Sequence, residues 1–266
     1  MMKETTPKIS IITATYHRPD LLARCIKAVQ QSTLRNYEHI IVSDHCPKAR
    51  QVYELFKEDE RIVFFDNPPP HIPNQGARGQ NTGIENARSK YICYCNDDNI
   101  IMPNHLQLLY DGLSAGEYDV VYLKTHEIRI GRGDNTVQKI IARDFFKDLD
   151  PEKFVKEDLM YSDPRDMSNL GHTKAIIQNS GPWKLAHECN NNIEDTDFLN
   201  RLDAAATEER VLNNPVYSNV YYVRNSCFFL DRAYHSEVLN LAQEDAFVYP
   251  GLLVSTGVIN QDQAGE

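Results

Sequence analysis

Four short apolar runs, each followed by a polar loop or a stretch of helical spacing, constrain this chain more than any other feature. Ile9 to Thr13 reads ISIIT, His39 to Ser43 reads HIIVS, Arg61 to Phe65 reads RIVFF and Tyr91 to Cys95 reads YICYC. Branched, aromatic and cysteine side chains without polar alternation suit strands that are buried on both faces. Between the runs, apolar residues recur at helical spacing. Leu21, Leu22, Cys25, Ile26 and Val29 follow Pro19-Asp20, then come Val52, Leu55 and Phe56, then Ala77, Ile84 and Ala87. A proline at the first helical position is preorganised for that start. Strands and helices in alternation predict an α/β fold, with a mostly parallel central sheet flanked by helices on both faces.

Acids follow the ends of these runs. Asp44 follows the second, Asp66 the third, and Asn96-Asp97-Asp98-Asn99 the fourth. In open α/β sheets, the carboxyl ends of the strands are where ligands bind. By itself the Asp97-Asp98 pair reads two ways. It can offer oxygen ligands to a hard divalent cation and hydrogen-bond acceptors to sugar hydroxyls, or it can be an Asx-rich turn that caps the next helix.

Past the acidic pair, Leu106, Leu109, Tyr110 and Leu113 share one helical face, and Asp119 to Lys124 (DVVYLK) is a further strand. HEIRIGRGDNTVQKII reads as a hairpin turning at Gly131 to Asn135. Its Arg132-Gly133-Asp134 is what any tight turn selects, which outweighs an adhesion reading. The charged segment 148–166 is expected to wrap the surface, and SNLGHTKAIIQNSGPW to form a turn and a short helix. A second acidic cluster, Glu194, Asp195 and Asp197, sits where a polar loop becomes a helix carrying Phe198, Leu199 and Leu202. NVYYV suggests a late strand, Arg232 to Gln243 a last helix, and the tail beyond it disorder.

Charge and composition narrow the partners. With 38 acidic against 28 basic residues the net charge is −10, a field that repels polyanions, so nucleic acid is not an expected partner. No apolar run is long enough to cross a bilayer and MMKETTPKIS lacks the apolar stretch of a signal peptide, so a soluble, cytoplasmic protein is expected. The six cysteines are scattered without zinc or disulfide spacing. Cys93 and Cys95 share one strand face and read as packed core thiols. The first loop, ATYHRPD, has no glycine, which disfavours a sugar nucleotidyltransferase. No G-x-G-x-x-G follows a strand, which disfavours a dinucleotide oxidoreductase. A binding protein without catalysis is the remaining alternative, and two retained acidic clusters argue against it.

Taken in order, ISIITATYHRPDLL, IIVSD, GARGQNTGIENARSKYICYCNDDN and a Trp followed by Glu-Asp with an Asp two further on closely resemble glycosyltransferase family 2. These are inverting nucleotide-sugar transferases of the GT-A fold. The resemblance runs from about Lys8 to Leu202, strongest over about the first hundred residues and thinner after Asp119. It implies one GT-A domain with a nucleotide-sugar-binding half over 8–124, an acceptor-binding half with a smaller β-hairpin and helix region over 125–225, and a C-terminal helix and tail over 226–266.

The resemblance also implies roles. Thr15 and Tyr16 fall where the family meets the nucleotide base. Asp44 matches the second acid of a VDD segment that bonds the base, usually uracil, while Ser43 replaces the first. Arg78, in an Arg-x-x-Asn pattern with Asn81, would lie near the nucleotide. Asp97 would contact ribose, and Asp98 would hold Mn2+ or Mg2+ on the diphosphate. Asp195 would be the general base, with Glu194 as fallback and Asp197 supporting the helix start; helix capping is the bland reading of all three. Trp183 and His172 would lie on the acceptor side, although a lone tryptophan equally suits the core. Where family members often place a late histidine, this chain reads Tyr222-Val223-Arg224-Asn225-Ser226, so a third protein metal ligand stays open and Arg224 is a phosphate-contact candidate. The expected donor is a UDP-sugar, with GDP and dTDP next, and the expected acceptor is a hydroxyl of a glycan or other molecule.

Overall fold

The computed structural model describes residues 6–69, 76–130, 137–143, 167–189 and 194–224. The amino-terminal half follows the expected alternation: β1 (Ile9–Thr15), α1 (Pro19–Gln30), β2 (Tyr37–Ser43), α2 (Pro47–Glu54), β3 (Ile62–Asp66), α3 (Gly76–Asn86) and β4 (Tyr91–Tyr94). Both α1 and α2 begin on a proline, where a missing N–H costs no helical hydrogen bond. The second half contains β5 (Asn99–Ile101), α4 (His105–Ser114), β6 (Val120–Ile130), β7 (Val137–Arg143), β8 (Leu170–Thr173), α5 (Ile177–Ser180), α6 (Glu194–Ala206) and β9 (Val211–Arg224).

The described strands form one nine-stranded sheet in the order β3-β2-β1-β4-β8-β6-β9-β5, with β7 paired to β6. Pairing is parallel across β3-β2-β1-β4. Beyond β4 it is mixed, because β8 runs antiparallel to both β4 and β6 while β6 and β9 are parallel. Ile9 and Ile11 pack with Cys25, Cys93 and Cys95 under α1 and α4, while Ile12 packs with Ile84, Phe198 and Leu202 under α3 and α6. Both faces of β1 are therefore core, which is why its sequence shows no alternation. Cys93 and Cys95 do share one buried face.

Three features depart from the sequence reading. The strand expected at Asp119 to Lys124 and the first hairpin strand are one continuous β6. Asn99–Ile101 is a strand rather than a lead-in to the helix, because it pairs antiparallel with Tyr221, Val220 and Asn219. LGHT was expected within a turn, yet it is β8, inserted between β4 and β6. A bare glycine allows this insertion. A Cβ on Gly171 would lie 3.1 Å from Leu109 and 3.2 Å from Leu113, so α4 seats directly on it. The hairpin turn, segment 148–166, residues 232–243 and the tail lie outside the described residues.

Two glycines set the position of α3. A Cβ on Gly79 would fall 2.7 Å from the Ala14 Cβ, and one on Gly83 would fall 2.4 Å from Ile12 Cγ2. The GARGQNTG segment thus puts four-spaced glycines on one helix face and lets α3 lie against β1. That contact brings the first turn of α3 to the rim of the sheet.

Candidate active site

The registers Thr15↔Ser43 and Ile12↔Tyr94 end β1, β2 and β4 along one edge. The Thr13 hydroxyl donates to the Cys95 carbonyl at 2.8 Å, tying the exit of β4 to β1. The chain then turns, and the next two residues diverge. Asp97 is 5% exposed, with Oδ2 accepting from the Thr15 hydroxyl at 2.7 Å and Oδ1 from Arg18 Nη1 at 3.0 Å. The same Nη1 donates to Asp98 Oδ2 at 3.1 Å. Burial raises the Asp97 carboxyl to about 6 against the pull of the Arg18 guanidinium, with the Asp98 charge adding to the rise. Asp98 keeps 28% of its side chain exposed. One carboxylate is thus fixed inside the rim while the other is partly exposed.

At the end of β2, Asp44 is buried and its N–H donates to the Thr15 carbonyl at 3.2 Å. Arg78 Nη1 stands 3.6 Å from Asp44 Oδ1. Ser43, where the family places an acid, accepts the Cys46 N–H at 3.0 Å and so holds the entry to α2. Tyr16 is 37% exposed with its ring edge-on to His17 at 4.2 Å between centroids. His17 and His45, in the loops after β1 and β2, both have left-handed backbones with φ of 54° and 55°. That conformation is uncommon for non-glycine residues, histidine being one of those that visit it more often.

The first turn of α3 also meets the second acidic cluster. Glu194 Oε2 accepts the Ala77 N–H at 3.1 Å, so this carboxylate caps α3 from another element. Burial raises the Glu194 carboxyl, opposed by the N–H groups of Ala77, Ala186 and Gly76. Asp195, its neighbour, is exposed. Asp197 accepts from Arg201 Nε at 2.7 Å and lies 3.6 Å from Lys184 Nζ, an ion-paired structural role. Asp195 is therefore the member of the trio whose side chain is open to solvent.

Trp183 and His172, the two residues expected on the acceptor side, are both buried. Trp183 is 4% exposed, its ring stacked on Phe198 at 4.2 Å with an 18° tilt. Its backbone N–H donates to Asn81 Oδ1 and its carbonyl accepts from Asn81 Nδ2, both at 2.9 Å. His172 is fully buried, with Nε2 2.8 Å from the Tyr94 hydroxyl and Nδ1 2.9 Å from the Thr173 carbonyl. Burial lowers the imidazole to about 4, so it stays neutral. Both rings pack against Phe198 of α6 in the core. Arg224 ends β9, and its side chain lies outside the described residues.

Two contributors escaped the sequence reading. Arg18 was legible only as part of a polar loop, although a cation three residues beyond Thr15 was a signal. Asn81 was read with Arg78, but it joins α3 to the Trp183 segment. As for a metal, the donor set at the rim is carboxylate oxygen, which suits Mn2+ or Mg2+ rather than a soft ion. Among the described residues, no three His, Cys, Asp or Glu side chains gather as a metal cage. Small hard cations commonly take one or two carboxylates and complete their shell with water and substrate phosphates, so Asp98, with Asp97 behind it, fits the ion.

Comparison with known proteins bears on the fold and the family. A GalNAc(5)-diNAcBac-PP-undecaprenol beta-1,3-glucosyltransferase of Campylobacter jejuni is 29% identical over 113 residues, which are 41% of this chain and 36% of that protein. The chain thus spans well under half the length of that relative. Among solved structures, S. aureus TarS 1-349 in complex with UDP-GlcNAc superposes with a TM-score of 0.61 at 15% identity, covering 88% of this chain and 65% of that one. Mannosyltransferase PcManGT from Pyrobaculum calidifontis, in complex with GDP-Man and Mn2+, gives 0.57 at 10% identity, covering 85% and 59%. These likenesses establish the GT-A fold. Residues 10–180 match the sequence model of glycosyl transferase family 2, a span that runs from β1 to the end of α5 and includes Asp44, Asp97 and Asp98, and the chain belongs to that family.

Proposed function

We propose that this chain transfers a sugar from a nucleoside-diphosphate sugar to a hydroxyl of a glycan or other acceptor, with inversion. UDP is the first-choice nucleotide, ahead of GDP and dTDP. The observation that carries the reading is the first turn of α3, which reaches Asp44 through Arg78 and Glu194 through the Ala77 N–H. One helix end thereby joins the acid expected at the base to the helix that bears Asp195. The nucleotide sugars named for the TarS and PcManGT complexes support the donor class.

In this reading residues 8–124 hold the donor and 125–225 the acceptor. Asp44 and Arg78 meet the base, Tyr16 flanks it, and Asp97 meets the ribose. Thr15 acts mainly by holding Asp97, to which its hydroxyl is bonded. Asp98 would hold Mn2+ or Mg2+, which when bound neutralises charge on the departing diphosphate. Asp195 accepts the proton of the acceptor hydroxyl as that oxygen bonds to the anomeric carbon and the anomeric bond to diphosphate breaks. Glu194, already engaged by backbone N–H groups, holds α3 and α6 together and orients its neighbour. Cys25, Cys46, Cys93, Cys95 and Cys189 are buried free thiols, which suits a reducing cytoplasm. Among the described residues no helix is long and apolar enough to cross a membrane.

The test is transfer and hydrolysis assayed with UDP-, GDP- and dTDP-sugars, with and without Mn2+. Asp98→Ala should abolish metal-stimulated turnover. Asp195→Ala should retain nucleotide binding and lose turnover by about 10²–10⁴-fold, the contribution of a positioned base. Full metal-stimulated activity in the first variant would sink the metal assignment, and normal turnover in the second would move the base elsewhere.

A further inference from the structure

Arg18 occupies a position that neither helix formation nor solvation explains. It is the residue before α1, with φ −127° and ψ 57° and no side-chain capping bond. A cation there faces the positive end of the helix dipole, which is unfavourable. The preceding residue, His17, is held in the left-handed region, so the backbone is constrained just before Arg18. Both features are offset by one arrangement. A single nitrogen, Nη1, donates to Asp97 Oδ1 at 3.0 Å and to Asp98 Oδ2 at 3.1 Å. The guanidinium thus bridges the two carboxylates that the proposed function gives to ribose and metal.

We propose that Arg18 is a resident counter-cation of the Asp97-Asp98 pair, displaced when a divalent ion arrives with the nucleotide, so that metal binding is conditional on the diphosphate. This rests on the metal-dependent reading above. In the protein alone, an incoming ion must break two charge-assisted hydrogen bonds and meet a fixed positive charge that no accessible pH removes. When a diphosphate is present it brings oxygen ligands to the ion and an anionic partner for the released guanidinium. The Arg18 side chain is 35% exposed, so the guanidinium has a path to solvent. Asp97 stays in place meanwhile, because Thr15 holds its other oxygen. By reciprocity the ion and the nucleotide tighten each other by the same factor.

The test is titration of the full chain with Mn2+, following free Mn2+ by electron paramagnetic resonance, alone and with UDP or GDP. Wild type should bind Mn2+ weakly alone and markedly more tightly with the nucleotide. Arg18→Gln and the apolar Arg18→Met should each bind Mn2+ alone about tenfold more tightly, a conservative figure for two charge-assisted bonds to a partly exposed guanidinium. The gain from nucleotide should shrink in both variants, while Arg18→Lys, which keeps the charge, should stay near wild type. Equal Mn2+ affinity in wild type and both neutral variants, with the nucleotide gain intact, overturns the inference. If no protein binds Mn2+ under any condition, the metal-dependent reading itself fails and the inference falls with it.

Discussion

Replacing Gly79 by alanine tests whether the closeness of α3 to β1 builds the proposed donor site. The new Cβ would lie 2.7 Å from the Ala14 Cβ, with Val42 Cβ 3.9 Å away. Methyl carbons rest about 3.5–4 Å apart, so the helix must retreat by roughly 1 Å. Ala14 has no rotamer by which to yield. Overpacking of this kind costs about 1–3 kcal/mol, whereas alanine in place of glycine inside a helix returns up to about 1 kcal/mol. The net expectation is a loss of about 1 kcal/mol, which lowers Tm by about 2–4 °C in a chain of this size. The same retreat carries Arg78 from Asp44 and Ala77 from Glu194, so UDP binding should weaken together with stability. Urea unfolding of wild type, Gly79→Ala, Ala14→Gly and the double variant measures the coupling directly. Ala14→Gly removes the opposing methyl and should relieve the clash, leaving an interaction term of about 0.5–3 kcal/mol. A stabilised Gly79→Ala, or single effects that simply add, would refute the close-packing argument.

Two further outcomes follow from the buried groups. Trp183→Ala should cost about 3–5 kcal/mol in urea unfolding, as for other buried aromatics; a variant of unchanged stability that loses only acceptor use would restore the ring to the acceptor surface. Burial holds the His39 imidazole down at about 3 and that of His172 at about 4, so each contributes stability that is full above its unfolded value near 6.5 and is lost as pH falls toward the folded value. Asp97 has the opposite sign, because its raised carboxyl, at about 6, favours the fold at low pH and loses that contribution as pH rises through 6. Between pH 4 and 6 two histidines against one aspartate leave a net gain on the order of 1 kcal/mol per rising pH unit. Urea midpoints at pH 4.5 and 6 check this, and Asp97→Asn should steepen the dependence, whereas a flat profile in the variant would contradict the assigned burial.

The legible part of the fold was the part made of local pattern. β1, β2 and β4 are buried on both faces and need continuous apolar runs, the edge strand β3 is partly covered, and α1 needs Pro19 and its spaced apolar residues, so all leave a record in the sequence. β5 and β8 leave almost none. Asn99–Ile101 is three residues long, and Leu170–Thr173 contains a glycine and two polar residues. Each is a strand because partners distant in sequence accept it. Residue chemistry followed the same division. Acids at strand ends marked Asp44, Asp97 and Asp98, yet nothing local separated Asp195 from Glu194 and Asp197 as to which is solvent-facing.

The order of strands and acids by itself determined an α/β domain with a carboxylate rim, since periodicity and strand-end position are properties of neighbours along the chain. Only the tertiary structure decided how the carboxylates are occupied. Arg18 bridges Asp97 and Asp98, Glu194 caps α3, and Trp183 and His172 fill the core. Each of these depends on which side chains meet across the sheet edge and on how close the bare Gly79 and Gly83 let α3 approach β1. Partner and burial are set by that approach, and sequence spacing does not encode it.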